Sequence, residues 1–484
     1  MTPSPMSSSR TSIRLRGSAT AEDGMGEPSP STPTSSNRAG LLATSSIVSL
    51  PGDILQRHTS NDVSSLRRAC STARHHGDPD PARGAGAGGE LASSGCCAWR
   101  GEPREVDASE RIGARDWMVG RVAAIGLPAT LEEAPLEVPR ELWPDVLGRL
   151  IDQRLTGIAV AGVTSGRLHL DPAGRSELLD AHRRAMVLVL GLERKLRELA
   201  EAFEAAGVEV VVLKGPALAR VHYPSPSWRP YGDLDLLIRT RDWRSACGLL
   251  AELGFRRLLP EPRPGFDERF GKGAAHEDDE GFQVDLHRTL APGAFGLWIE
   301  PDRLFGRTAP LDVGVGTLRR LDDTAQFLHA CLHAALGRRD PRLIPLRDVL
   351  QLAWSGLVDW DTLDADARTW RLAGPIRYAL RVAAARLGVG LPDEAVPAST
   401  AEVGYVERRV LAAYTTRLRD AGGTALSAML AIRGLGAKAS YVRALAFPSE
   451  EFLVARGGGT RWSRLRIPIS WVRGPFGRRR EGAG

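Results

Sequence analysis

The segment Gly232-Asp233-Leu234-Asp235-Leu236-Leu237-Ile238 restricts what this chain can fold into more than any other. Acids and leucines alternate in it, which predicts a strand with Asp233 and Asp235 on one face and Leu234 and Leu236 facing a core. Two carboxylates side by side on one strand face repel each other and cost stability unless something neutralises them. A divalent cation is one solution. Mg2+ prefers hard oxygen donors and commonly takes one or two carboxylates together with substrate phosphates.

Such a strand needs a sheet, and the flanking sequence supplies one. Val208 to Leu213 is a nearly continuous β-branched run that ends at Lys214-Gly215-Pro216. A polar loop containing Pro224, Pro226 and Pro230 separates it from the acidic strand. Ahead of both, the apolar positions Leu179, Met186, Leu190, Leu196, Leu199 and Phe203 predict a helix over 176–206, stopped by Gly207. Arg241 to Leu253 reads as a helix closed by Gly254, and the Phe255–Leu259 and Phe282–His287 segments read as strands.

The fold class expected is α+β: a small mixed sheet with flanking helices over 176–300 and a helical domain over 301–450. Helices in the latter are expected over Asp322–Leu336, Leu346–Trp354, Trp360–Leu372, Ile376–Leu387, Tyr405–Arg419 and Leu426–Leu445. Residues 113–175 form a short helical lead-in, with apolar positions such as Trp143, Val146, Leu150 and Ile151.

Hydrophobic residues make up 43% of the 484, unevenly spread. Residues 1–112 are rich in Ser, Pro, Gly, Arg and Thr and are expected to be disordered, because they cannot bury enough apolar surface to offset chain entropy. They lack the apolar core of a secretory signal. An organelle transit peptide, or a gene start placed upstream of Met118, are the other readings of this stretch. No run of 18 apolar residues occurs, so no spanning helix is expected. The five cysteines lack zinc-site spacing, and a reducing cytoplasm is the expected setting. The tail 451–484 interleaves arginines (Arg456, Arg461, Arg464, Arg466, Arg478) with Trp462, Trp471 and Phe476. Nucleic acid or an anionic membrane suits that pattern, but a solvated tail with docked apolar residues is the reading preferred.

A second acidic strand gives the chemistry its shape. Gln283-Val284-Asp285-Leu286-His287 places Gln283, Asp285 and His287 on one face. Beside the first strand, Asp285 would complete a three-carboxylate cluster with Asp233 and Asp235, able to hold two metal ions. Lys214 and Gly215 offer a mobile cation and a close backbone approach to a triphosphate. Arg229 would serve the same anion or brace the acidic pair, and Gly232 lies at the same nucleotide-binding edge. His287 shares the face of Asp285 and is the candidate for an acceptor site. His329 and His333, four apart on a helix, are expected to be core or pocket histidines, since no Glu-x-x-His arrangement accompanies them.

Taken together, Val210–Ala219, Tyr223-Pro224, Arg229-Pro230, Gly232–Ile238 and Val284-Asp285-Leu286-His287 resemble the bacterial uncharacterised nucleotidyltransferase family. That family is part of the DNA polymerase beta-like superfamily, and the resemblance spans roughly 176–455. It implies that Asp233 and Asp235 are metal ligands, that Asp285 is the third catalytic carboxylate, and that Lys214 and Gly215 mark the nucleotide-binding turn. Two departures stand out. Pro216 follows Gly215 where the superfamily usually has Gly-Ser or Gly-Gly, and the span from Gly215 to Asp233 is longer than usual.

The function expected is Mg2+-dependent transfer of a nucleoside monophosphate from a nucleoside triphosphate such as ATP to an acceptor hydroxyl, with Mn2+ as the alternative ion. A catalytically weak binding protein of the same fold and a metal-dependent glycosyltransferase using the Asp-x-Asp are the competing readings. The acceptor is not encoded in any of these motifs.

Overall fold

The computed structural model describes residues 108–130, 133–313, 317–338, 340–415 and 421–456. The disorder expected over 1–112 therefore falls almost wholly outside the described residues, as does all of the basic tail after Arg456.

The first half of the described chain runs through helices α1 (Ala108–Ala124), α2 (Trp143–Asp152) and α3 (Thr156–Thr164) to the 34-residue helix α4 (Pro172–Ala205). Between them lie two-residue strands β1 (Leu136–Glu137) and β2 (Leu168–His169), which pair in parallel. Asp171 begins α4 by accepting a hydrogen bond from the Gly174 amide at 2.7 Å, and Pro172 fits the first turn. Gly207, at φ +66°, follows its end. The buried stripe of α4 is Leu178, Val189, Leu192, Leu196, Leu199 and Phe203. Leu190, expected in that stripe, is 62% exposed.

The sheet comprises β3 (Val210–Leu213), β4 (Leu234–Ile238), β5 (Arg256–Arg257), β6 (Gly273–Glu277), β7 (Gln283–His287), β8 (Thr308–Asp312) and β9 (Thr317–Leu321). Their spatial order is β5-β6-β7-β4-β3-β9-β8. It is a mixed sheet: β4 and β7 run parallel, as do β3 and β9, and the other neighbours are antiparallel. Among the expected strands, Phe255–Leu259 reduces to a two-residue edge. Three strands not expected, β6, β8 and β9, complete the sheet.

The segment after Lys214 is also more regular than expected. A short helix, α5 (Gly215–Val221), starts directly at the Gly-Pro step, where proline suits a first turn.

Alternation along the central strands divides the core between two faces. Val210, Val212, Leu234, Leu236 and Ile238 pack with α4 and with α6 (Trp243–Glu252). Val211, Leu213 and Leu237 face the other way, into one continuous core with α1, α2, α3 and a helical layer. That layer is α7 (Asp323–Leu336), α8 (Leu343–Ala353), α9 (Trp360–Trp370) and α10 (Ala373–Leu387). Asp235 has the parity of Leu237, so its carboxylate points toward the helical layer. No helix among the described residues is long and apolar enough to cross a membrane.

Candidate active site

Strand register builds the site. In the parallel β4–β7 pair, Asp235 lies opposite Asp285 and Leu237 opposite His287. The antiparallel β3–β4 pair sets Leu213 opposite Asp235, which delivers the next residue, Lys214, to the same place. Lys214 adopts φ 42° and ψ −116°, a conformation that L side chains rarely take and that costs about 1–3 kcal/mol. The strain is offset by what the turn achieves: its Nζ lies 2.5 Å from Asp235 Oδ1, and both side chains are buried.

His287 donates to the same cluster, with Nε2 2.8 Å from Asp235 Oδ1 and 3.0 Å from Asp285 Oδ2. Lys272, at the entrance to β6, places Nζ 3.7 Å from Asp285 Oδ2. Burial pushes the Asp235 carboxyl up, but the charge of Lys214 and the His287 hydrogen bond outweigh it and hold the group well below the usual carboxylate range. Asp285 is likewise held low against its burial, by His287 and Lys272. Burial and the neighbouring Lys214 charge lower the Lys272 ammonium. Burial also keeps His329 and His333 neutral, with Lys214 acting in the same direction.

Asp233 behaves differently from its partner. Its carboxylate is 40% exposed and pairs with Arg154 Nη1 at 3.3 Å. Gly232 leaves room for that pairing as placed, because a Cβ there would fall 2.8 Å from Arg154 Nη2 and the guanidinium would have to shift. The three acids expected to cluster thus separate: Asp235 and Asp285 meet around His287, while Asp233 stands at the rim with Arg154. Gly215 is buried with a hypothetical Cβ only 3.0 Å from the Tyr231 ring.

Arg229 is buried, and its Nε and Nη2 bond Asp348 Oδ1 and Oδ2, both at 2.7 Å. Tyr223 donates to the same Asp348 Oδ1 at 2.8 Å. Of the two roles expected for Arg229, anion binding and bracing, its hydrogen bonds belong to a brace, and the partner is Asp348 rather than the Asp-x-Asp.

Beside the cluster lies a cleft whose wall includes Arg154, Lys214, Asp233, His333, Arg338 and Arg342, with Gly215 and Arg229 also reaching it. Sequence reasoning missed Arg154, Lys272, Arg338 and Arg342. The basic run Arg338-Arg339-Asp340-Pro341-Arg342, just past His333, was a signal for two of them. Arg154 meets Asp233 across 79 residues, and no local pattern announces such a contact.

The donor set suits a cation. Asp235, Asp285 and His287 each offer one ligand atom, and the three atoms lie within 4.8 Å of one another. Among known proteins, the family model described as "Uncharacterised nucleotidyltransferase" matches residues 139–388, which contain every residue of this cluster and cleft. No curated protein matches. A solved structure, described as an antigenic nucleotidyltransferase-like protein from Paracoccidioides brasiliensis, is 13% identical; the match covers 42% of this chain and 95% of that one. Its TM-score of 0.27 is too low to bear on the arrangement here.

Proposed function

Because the chain belongs to the uncharacterised nucleotidyltransferase family, we propose that it moves a nucleoside monophosphate from a nucleoside triphosphate to an acceptor hydroxyl with the help of a divalent cation. The observation that carries this reading is the register of Asp235 against Asp285 at the foot of a cation-lined cleft. Asp235 and Asp285 would hold the ion, and Asp233 would serve as the rim carboxylate. A cation bound there supplies Lewis acidity and charge neutralisation to the phosphoryl group in transfer.

The other roles fall to the chain's own side chains. Lys214, Arg154, Arg338 and Arg342 present positive charge to the triphosphate, and Gly215, without a Cβ, keeps the turn close-packed on Tyr231. The Arg229–Asp348 pair ties the loop before β4 to α8, which fixes one wall of the cleft. Within this reading, 176–300 supplies the catalytic cluster, while the 301–450 segment completes its sheet with β8 and β9, lends Arg338 and Arg342 to the triphosphate and shapes the acceptor side with its remaining helices. The glycine turn, Asp-x-Asp and later acidic strand follow the DNA polymerase beta-like plan, and a reducing cytoplasm is the proposed setting.

A binding-only role rests on one observation: the Lys214 ammonium already pairs with Asp235 from within the protein, and His287 hydrogen-bonds the same oxygen. Two measurements separate the readings. Labelled nucleoside triphosphates, a divalent cation and cell extract are incubated with wild type and with an Asp235→Asn, Asp285→Asn double variant. Transfer predicts that wild type labels an acceptor and that the variant labels at least about a hundredfold less, the scale seen when transition-state charge stabilisation is lost. Equal labelling by the two sinks the transferase reading. Saturable binding of the metal–nucleotide by calorimetry without any labelling favours the binding-only role.

A further inference from the structure

The cluster at the foot of the cleft is not purely acidic, and its nitrogen member is built in as firmly as its oxygens. Asp285 and His287 share one face of β7, and register with β4 turns that face onto Asp235. His287 has no exposed side-chain surface, and its ring packs edge-on against His329 with centroids 6.4 Å apart. Its Nδ1 has no hydrogen-bond partner among the described residues, so the ring's polar contacts are all made at Nε2, and ligation there would leave the ring proton on Nδ1. That atom faces two carboxylate oxygens, at 2.8 and 3.0 Å. One N–H points along one direction and serves one acceptor well. A dication held by the nitrogen and both oxygens satisfies all three together.

We infer that His287 Nε2 is a ligand of the ion, beside Asp235 and Asp285, and that this mixed set favours a first-row transition dication such as Mn2+ over Mg2+. The inference rests on the metal-dependent reading above and replaces the all-carboxylate set expected from the sequence. Mg2+ takes oxygen donors in near-ideal octahedra and gives up its waters reluctantly. Imidazole nitrogen shifts preference toward transition ions, and Mn2+ is the one whose ligand tastes overlap most with carboxylate and phosphate oxygen. Asp233, held on Arg154 at the rim, is outside the ligand set. Lys214, 2.5 Å from Asp235 Oδ1, would share that oxygen with the ion, and it also lines the cleft.

The test uses the full-length protein and Mn2+ as a paramagnetic probe, alone and with inorganic tripolyphosphate, which contains no nitrogen. Any strong 14N coupling in pulsed electron paramagnetic resonance then comes from the protein. Wild type is expected to show an imidazole coupling, and a tenfold excess of Mg2+ is expected to leave most Mn2+ bound. His287→Asn is expected to lose the coupling, bind Mn2+ about tenfold more weakly and release it to a smaller excess of Mg2+. Circular dichroism checks that the variant folds; if it does not, the wild-type spectrum decides alone. Bound Mn2+ without nitrogen coupling, coupling that persists in folded His287→Asn, or displacement by equimolar Mg2+ overturns the inference and leaves the metal-dependent reading standing. Failure to bind Mn2+ with or without tripolyphosphate overturns both.

Discussion

Arg229 shows how far a residue's meaning depends on partners that are remote in sequence. Its carboxylate partner, Asp348, lies 119 residues away, and both are buried. Removing one member of a buried pair strands the other charge, at a cost of about 3–5 kcal/mol. Asp348→Ala is therefore expected to lower stability by that amount in urea denaturation, with Asp348→Asn losing less because the amide oxygen still accepts from Arg229. A loss below about 1 kcal/mol in Asp348→Ala would show that the brace is not structural. Gly232→Ala makes the contrasting prediction. Its Cβ meets only the flexible end of Arg154, so the fold should tolerate it, but the Arg154–Asp233 pair must shift. Triphosphate affinity measured by calorimetry is expected to fall about tenfold, the worth of one charge-assisted contact of about 1.5 kcal/mol, with thermal stability nearly unchanged. The acids themselves were legible, because a period of two puts Asp233 with Asp235 and Asp285 with His287. Which of them meet was not, since that depends on register and on Arg154.

At the scale of elements, legibility followed how much of each signal was carried locally. The valine run of β3, the alternating leucines of β4 and β7, and the apolar positions of α7 to α10 all announce themselves, and each forms within a few residues of its expected bounds. The sequences of β6 (Gly-Ala-Ala-His-Glu) and β9 (Thr-Leu-Arg-Arg-Leu) hold almost no β-branched residues, and pairing with β7 and β3 makes them strands. Likewise α5 has seven residues, too few for a periodic stripe to emerge. The tight β6–β7 contact gives a sharp test. Gly273 stands opposite His287, and a Cβ on it would lie 2.2 Å from the Leu286 carbonyl oxygen, which is backbone and cannot swing aside. Gly273→Ala should destabilise the protein by about 1–3 kcal/mol, as overpacking does, and weaken metal–nucleotide binding by parting the strands under Asp285. Wild-type urea midpoint and wild-type binding in that variant would remove the strand contact from the account of the site.

Across the whole molecule, the lead-in, the sheet and the helical layer share one core, running from Met118 to Tyr414. Arg347 on α8 fastens α1 to this body, donating to the Ala123 and Ile125 carbonyls at 2.8 and 2.7 Å. That continuity was not legible, because each segment shows only its own apolar face. Histidines are buried on both faces of the sheet: His222, His276 and His329 are all nearly inaccessible, and burial lowers each of them. His222 is pushed down to about 4, first by burial and then by the Arg320 charge, against the opposing pull of Asp323 and Asp348. An unfolded histidine titrates near 6.5, so between about pH 6.5 and 4 the unfolded chain binds the proton that folded His222 refuses. Stability contributed by this group is therefore complete above pH 6.5 and declines as pH falls toward 4. At about 1.4 kcal/mol per pKa unit, the loss from His222 approaches roughly 3 kcal/mol. Asp366 and Glu407, raised by burial, act in the opposite direction, so the difference between variants is the proper measure. His222→Gln keeps a partner for Gln326, which lies 3.1 Å from His222 Nε2, and removes the titration. Urea midpoints at pH 7 and pH 5 should converge less for wild type than for this variant: wild type loses stability on acidification, and His222→Gln loses measurably less. Identical pH slopes in the two proteins would show that His222 is not held neutral in the fold.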